Sequence, residues 1–278
     1  MVLSLNKDGN IKGAWPFFIK QKFGFHLLTM PWLTPYLGPI IAYPSDLGTS
    51  RKTSYEKQVI EDLLEQLPQV DHLLFQGNPH YTNWLPFHWK GFEQSTRYTY
   101  VLPKMELEDA VSNYKASIRR ELKKGESHLT LHESANAGLL HQIKLADFKM
   151  KGLDMFYTEK FFQRIGNYVE QTKKGQFFEA KNGNRETIAS MLFLWDEKYL
   201  YYHTGAVLPE FRNSGAMTLL MHKGIELACE KNLQFNFEGS MVESIERYFS
   251  SFGAEQLPYF TLSKTNSKLY QLIHAIKP

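Results

Sequence analysis

The chain has one cysteine, Cys229, in 278 residues. An internal disulfide is therefore excluded, and a reducing compartment is indicated. Cys229 lies in the helical run LACEKN and reads as a buried structural thiol rather than a nucleophile. No apolar run reaches the length of about 18 residues that a membrane-spanning helix needs. The opening residues, MVLSLNKDGN, lack a basic segment followed by a long apolar core, so no secretory leader is expected and the cytoplasm is the expected location. A net charge of +3 is too small to indicate nucleic-acid binding by itself. The lone cysteine leaves no CxxC pair, and no metal site is expected. Low-complexity tracts and Gly/Ser linkers are absent.

What is present is a chain that is 43% hydrophobic and 14% aromatic, enough for one large domain or two ordinary ones. The second half has the clearer periodicities. Strands are expected at 128–133, 176–181, 187–195, 198–206 and 257–264, with an Asn182-Gly183 hairpin between two of them. Helices are expected at 135–150, 161–174, 214–232 (capped by Asn213 or Ser214) and near 269–276. The first half repeats the order less completely. Two strands, VLSLN and IKGAWPFFI, flank Asp8-Gly9-Asn10, and GFHLLTMP offers a third. A Pro-rich loop (31–44), a helix at 54–67, a strand at 71–77, an aromatic loop at 81–89 and a strand at 96–102 follow. A helix at 107–126 joins the halves. The expected division is thus 1–106, a connecting helix 107–126, and 127–278. A meander, helix and strand occur twice, so an α/β chain with mixed sheets and a tandem duplication is expected. The first copy lacks its opening strand and helices, so residues before Met1 are expected.

Two places carry candidate chemistry. In FNFEGSMVESIERYFSSFGAE (235–255), Phe235 and Phe237 alternate with Asn236 and Glu238 as in a strand. Gly239 permits a sharp turn, and Ser240 with Glu243 forms a capping box. Met241, Val242, Ile245, Tyr248, Phe249 and Phe252 share one helical face, and Gly253 fits the left-handed position past the helix end. Glu238 therefore ends a strand that leads into a helix. It either borders a ligand crevice or pairs with a nearby Lys or Arg. In PEFRNSGAMTLL, Arg212, Gly215 and a fresh helix N-terminus form either an anion site or an ordinary capped helix. Strand alternation sets Tyr201 and His203 on one face and Tyr202 on the other. Lys115, Arg119 and Lys123 make a helical stripe that reads as a solvated face ahead of a phosphate-contacting one.

These pieces resemble a known family. The strand KYLYYHTGA, the loop with Arg212-x-x-Gly215, the long helix, and the strand and helix closing on Phe252-Gly253 resemble the GNAT acyltransferase core. With TRYTYVL, SIRRELKKGE, SGAMTLL and FNFEGSM, the chain resembles the Fem type, tandem-GNAT proteins related to enzymes that add amino acids to peptidoglycan precursors. The likeness runs from about residue 12 to residue 260. It implies transfer of an acyl or aminoacyl group to an amine, either a small molecule or a cell-envelope precursor. It places the donor on Arg212, Asn213, Ser214, Gly215 and Ala216, with acyl-CoA (acetyl-CoA) or aminoacyl-tRNA as that donor. It makes Glu238 the base, with His203 next, and assigns Asp154, Tyr157, Tyr202 and Ser240 to the substrate. Two positions depart from the GNAT pattern. Met217 stands where the phosphate loop ends in Gly or Ala, which a tRNA-dependent Fem-type protein tolerates. Phe249 stands where a tyrosine acid is usual, with Tyr248 one step off. A non-catalytic binding or scaffold member is the other reading these departures leave.

Overall fold

A computed structural model describes residues 1–239 and 241–276, with side chains through 273. Backbone contacts divide the chain into two compact units. One holds Met1–Tyr98 together with the segment from Pro258 onward, and the other holds Thr99–Leu257. This division differs from the expected 1–106, 107–126 and 127–278, chiefly because the last strand joins the first unit.

The first unit contains two sheets. β1 (Val2–Leu5) and β2 (Ile11–Trp15) form the expected hairpin, and β5 (Ile40–Ile41) pairs with β2. β3 (Phe18–Lys22), β4 (Phe25–Thr29), β6 (His72–Gln76) and β13 (Glu255–Thr265) lie side by side in that order. The run IKGAWPFFI, expected as one strand, divides after Trp15 into β2 and β3. Pro16 has no N–H to give a ladder, so the strand stops there. α1 (Thr49–Gln66) starts earlier than expected and buries Val59, Ile60 and Leu63. The aromatic segment expected as a loop contains a short helix, α2 (Leu85–Trp89). Pro86 suits its first turn, and Phe87 is driven into the core against Trp15 and Phe75.

The second unit takes up the end of β7 (Glu93–Leu102) and continues with α3 (Leu107–Ser112) and α4 (Ala116–His128). A single helix was expected over 107–126, and tertiary contacts break it at 113–115. Gly253 packs so closely that a Cβ there would lie 2.7 Å from the Asn113 Cβ. The Lys115 N–H leaves the helical ladder to donate to the Ser251 carbonyl at 2.9 Å. β8 (Thr130–Ser134), α5 (Ala137–Met150), α6 (Glu159–Thr172), β9 (Gly175–Lys181), β10 (Thr187–Trp195) and β11 (Tyr199–Val207) follow. α7 (Ala216–Glu230), β12 (Gln234–Asn236) and α8 (Glu243–Ser250) complete the unit. Its strands run β7-β12-β11-β10-β9-β8. All of these neighbours are antiparallel except β11 and β12, so the sheet is mixed as expected. α7 covers one face, burying Leu220 and Ile225 with Met191, Phe193 and Leu200. Gly224 lets α7 approach: a Cβ there would stand 2.2 Å from the Phe193 ring.

Candidate functional site

The site forms where the parallel pair separates. β11 and β12 are in register from Tyr199/Gln234 to Tyr201/Asn236, and then β12 ends while β11 runs on to Val207. Past Tyr201 the β11 backbone has no ladder to β12, and side chains gather in the opening.

A bulge shapes the β11 side. Leu192 of β10 faces Thr204, but Phe193 faces Tyr202, so His203 is the extra residue. This overturns the expected alternation. A bulge turns two consecutive side chains toward the same side of the sheet, and here both Tyr202 and His203 act on Glu238. The His203 Nδ1 lies 3.4 Å from Glu238 Oε1. Tyr202 is pushed up to about 12, first by burial and then by the Glu238 charge. Past the bulge the faces resume. Thr204 meets Lys144 of α5, while Gly205 faces Met191 and Met217 of the α7 side.

The β12 side presents the acid. Glu238 has φ of 59° and Gly239 follows at 69°, two consecutive left-handed residues. For a glutamate this backbone is unfavourable and needs holding. Buried Asn236 holds it: its Oδ1 accepts from the Glu238 N–H at 2.8 Å and from the Thr99 hydroxyl at 2.8 Å. Burial raises the Glu238 carboxyl above the ordinary carboxylate range, and His203 offsets this only in part. Among the described residues no Lys or Arg forms an ion pair with Glu238, so the expected alternative of simple pairing with a cation is not met. Ser240, assigned to the substrate and to a capping box, lies outside the described residues. α8 begins at Glu243 with Val242 as its N-cap, so the helix starts later than that box requires. The expected apolar face is also split: Phe249 and Phe252 are buried, whereas Met241, Val242 and Ile245 are exposed.

Tyrosine occupies the remaining wall. Phe249 packs into the core against Phe237 and Tyr202. Tyr248 turns its hydroxyl to Thr218 in the first turn of α7, 3.2 Å away, and burial raises its pKa. Tyr202 and Tyr248 feel one another electrostatically, so side-chain interactions run from the start of α7 to Glu238. Thr218, Asn236 and Lys144 escaped the sequence reading. Asn236 had one visible signal, a polar residue two before an acid at a strand end.

The loop ahead of α7 differs from expectation. α7 starts at Ala216, and Gly215 is its N-cap, left-handed at φ 80° and without a side-chain cap from Asn213. Gly215 is indeed a point of close backbone approach, but to α4: a Cβ there would lie 2.5 Å from the Glu121 carbonyl oxygen and 2.8 Å from the Gly125 nitrogen. The Ser214 hydroxyl accepts from the Ala216 N–H at 3.3 Å, and Lys124 of α4 donates to the Asn213 carbonyl. The amides of Met217 and Thr218 are left by position as unspent donors of the first turn. Arg212 binds Asp147 at 2.5 Å, and Lys151 binds the other oxygen of that carboxylate. Burial alone would raise Asp147, but hydrogen bonds from Lys151 and Arg212 hold it below the ordinary range.

Asp154 and Tyr157, the residues expected on the substrate side, are apart from this group in their contacts. Asp154 is exposed, and Tyr157 joins an aromatic cluster with Phe148, Phe156, Phe161 and Phe162. A concavity of about 520 Å³ lined by Asn136, Glu159, Gln163 and Asn167 shares no residue with the Glu238 group. Among the described residues no cluster of metal-ligating side chains occurs, and no helix is long and apolar enough to cross a membrane.

Lys144 of α5 is a half-buried cation against β11. Its ammonium donates to the Thr204 hydroxyl at 2.8 Å. Burial lowers it from 10.5 to about 8, Asp147 opposes this, and Lys151 adds to it. Between those two values the unfolded chain keeps a proton that the folded chain has released. This group's contribution to stability therefore rises with pH across that window, while that of the raised tyrosines and Cys229 falls. Between about pH 8 and about pH 10 the urea midpoint of Lys144→Met should therefore fall relative to that of the wild type. Equal slopes in the two proteins would place the lysine in a solvated environment.

Residues 112–243 match the family model described as an acetyltransferase (GNAT) domain. No curated protein matches the sequence. Among solved structures, FemX superposes with a TM-score of 0.65 at 11% identity, over 97% of this chain and 89% of FemX. The L-PGS structure from Bacillus licheniformis gives 0.59 at 11% identity, over 98% of this chain and 86% of that one. A tandem GNAT protein from the clavulanic acid biosynthesis pathway gives 0.53 at 9% identity, over 93% and 80%. At these identities the likeness to the solved structures is one of fold and runs through nearly the whole chain, and the GNAT domain model covers residues 112–243 of it.

Proposed function

We propose that this GNAT-fold chain is an N-acyltransferase that moves an acyl or aminoacyl group from an activated donor to an amine, with Glu238 as the base. One observation carries the reading: a half-buried carboxylate of raised pKa stands where β11 and β12 part, beside His203 and Tyr202. A base of raised affinity for protons suits an amine acceptor, which must lose a proton to form an amide.

The amine nitrogen attacks the donor carbonyl carbon, and a C–N bond forms. Glu238 takes the proton that the nitrogen sheds, directly or through His203. The C–S bond of a thioester, or the C–O bond of an aminoacyl-tRNA ester, breaks, and the thiolate or alkoxide leaving group takes up a proton. Holding both reactants in the opening supplies the larger part of the rate, since the chemistry is otherwise bimolecular. The unspent amides of Met217 and Thr218 face the developing negative charge or the donor phosphate, as helix N-termini do.

Met217 favours aminoacyl-tRNA over coenzyme A. Its side chain packs on Gly205, in the first turn where a phosphate loop would otherwise end in a small residue. The Fem-type resemblance points the same way. A second reading, a binding module without catalysis, is favoured by Arg212, whose guanidinium is already held by Asp147. Thermal shift with coenzyme A, acetyl-CoA and aminoacyl-tRNA separates the two. A rise in melting temperature with aminoacyl-tRNA, weakened in Arg212→Ala, is the expected result. No shift with any donor would give the binding-module reading the advantage.

A further inference from the structure

The first unit has a sheet face that its core does not use. In β3, β4 and β6 the inward row is Leu28, Leu73 and Phe75, which pack with α1 residues Val59 and Ile60. The opposite row is fixed by the register. Phe18 pairs with Thr29, Lys20 with Leu27 and Lys22 with Phe25, and Leu27 in turn pairs with His72. Side chains of such partners share a face. All five residues of β3 are exposed, and β3 is the edge of its sheet.

On that row sits the C-terminal helix α9 (Lys268–Ile276). Its Tyr270 ring meets Phe25 at 5.2 Å and stacks on His72 at 5.2 Å. α9 leaves a cavity of about 420 Å³, lined by Leu27, Thr29, His72 and Leu74 from the strands and by Tyr270 and Gln271 from the helix. The chain positions next to these contacts carry exposed apolar side chains: Phe23 at the β3–β4 turn is 83% exposed, and Leu269 and Leu272, on either side of Tyr270 and Gln271, are 60% and 61% exposed. Exposed large apolar side chains grouped on one face of a unit mark an interaction site.

Charge selects the occupant. Residues 18–29 carry Lys20 and Lys22, residues 258–276 carry Lys264 and Lys268, and neither segment holds an Asp or Glu. Lys264 turns inward to the Lys90 carbonyl, which leaves Lys20, Lys22 and Lys268 to this surface. The nearby Asp71 accepts the His26 N–H. A second copy of the chain would bring lysines against lysines. An anionic lipid surface instead meets the ammonium groups with phosphates and receives the apolar side chains below them.

We infer that this face, formed by the β3–β4 turn and α9, docks the protein reversibly on an anionic lipid bilayer. Phe23, Leu269 and Leu272 enter the headgroup region while Lys20, Lys22 and Lys268 stay at phosphate level. The cavity under α9 is open to an acyl chain.

Cosedimentation of the full chain with phosphatidylcholine vesicles, with and without phosphatidylglycerol, tests it. Binding to the phosphatidylglycerol vesicles that salt weakens is expected, with little on phosphatidylcholine alone. Lys20→Gln with Lys22→Gln should lower the partition coefficient roughly 30-fold, at about one kcal/mol per lysine. Phe23→Asn and Leu272→Gln should lower it too, Leu272→Gln independently of charge, since the Lys22 ammonium lies 5.4 Å over the Phe23 ring, and melting temperatures should be unchanged because both sites are exposed. Asparagine is chosen because Phe23 has φ of 51°, which Asn tolerates. Absence of binding to anionic vesicles, or binding indifferent to all four substitutions, overturns the proposal. A dimer in sedimentation velocity that Phe23→Asn dissolves would assign the face to a second copy, and that also overturns it.

Discussion

Glu238→Gln is expected to abolish acyl transfer while leaving the protein more stable at neutral pH. The loss in kcat/KM should be about 10²–10⁴-fold, the range a positioned base supplies. The stability change follows from the direction of the pKa. Burial raises the Glu238 carboxyl, so the folded chain binds its proton more tightly than the unfolded chain. Any stabilisation from this group is present below the unfolded value and is lost as pH rises through the folded one. At neutral pH the ionised form is the costly one, and a glutamine of the same shape removes that cost while keeping the backbone bond to Asn236. A rate that collapses with a melting temperature that rises is what a residue kept for chemistry should give. In the wild type the acidic limb of kcat/KM should fall above the ordinary carboxylate pH and vanish in the variant. A variant with unchanged turnover would remove Glu238 from the reaction.

The second large effect is expected at Gly215. Its left-handed φ of 80° disfavours any side chain, and a Cβ would stand 2.5 Å from the Glu121 carbonyl oxygen and 2.8 Å from the Gly125 nitrogen. Both obstacles are backbone, so neither can rotate away. The conformational term is about 1–2 kcal/mol and overpacking adds about 1–3 kcal/mol. Gly215→Ala should therefore cost about 3 kcal/mol and lower the melting temperature by about 6–12 °C, for a unit of this size. Gly152→Ala is the matched control. Gly152 is also left-handed, at φ 66°, but nothing lies within 4 Å of an added Cβ. It should show the conformational part alone. Equal losses at the two sites would mean that α4 gives way to the methyl group.

Period and punctuation made most elements legible. The 187–195 strand is matched residue for residue by β10, and the hairpin at Asp8-Gly9-Asn10 joins β1 to β2 as expected. In both places local chemistry and tertiary packing agree. The misreadings fall where packing overrules local preference. The helix expected over 107–126 has no Gly or Pro at 113–115, and is broken there by Gly253 and Ser251 from far along the chain. The His203 bulge has no mark of its own either. It exists because β10 and β11 must pair on both sides of one surplus residue, and YLYYHTG reads as an unbroken alternation. For the same reason Tyr202 and His203, set on opposite faces by alternation, both act on one acid. Arg212 was legible as a cation beside a helix start, but its partner Asp147 lies 65 positions away on α5. Glu238 was legible because the strand, the acid and the glycine are consecutive.

The first unit is closed by the last strand of the chain: β13 pairs with β6 from Thr261/Gln76 to Thr265/His72. During synthesis β6 leaves the ribosome long before its partner does. At about 5–20 residues per second the wait is on the order of 10–40 s. The second unit, contiguous from Thr99 to Leu257, can finish folding within that interval. Through the delay the nascent N-terminal segment offers the open edge of an apolar strand, which makes it the stretch that a chaperone working on the emerging chain would meet first.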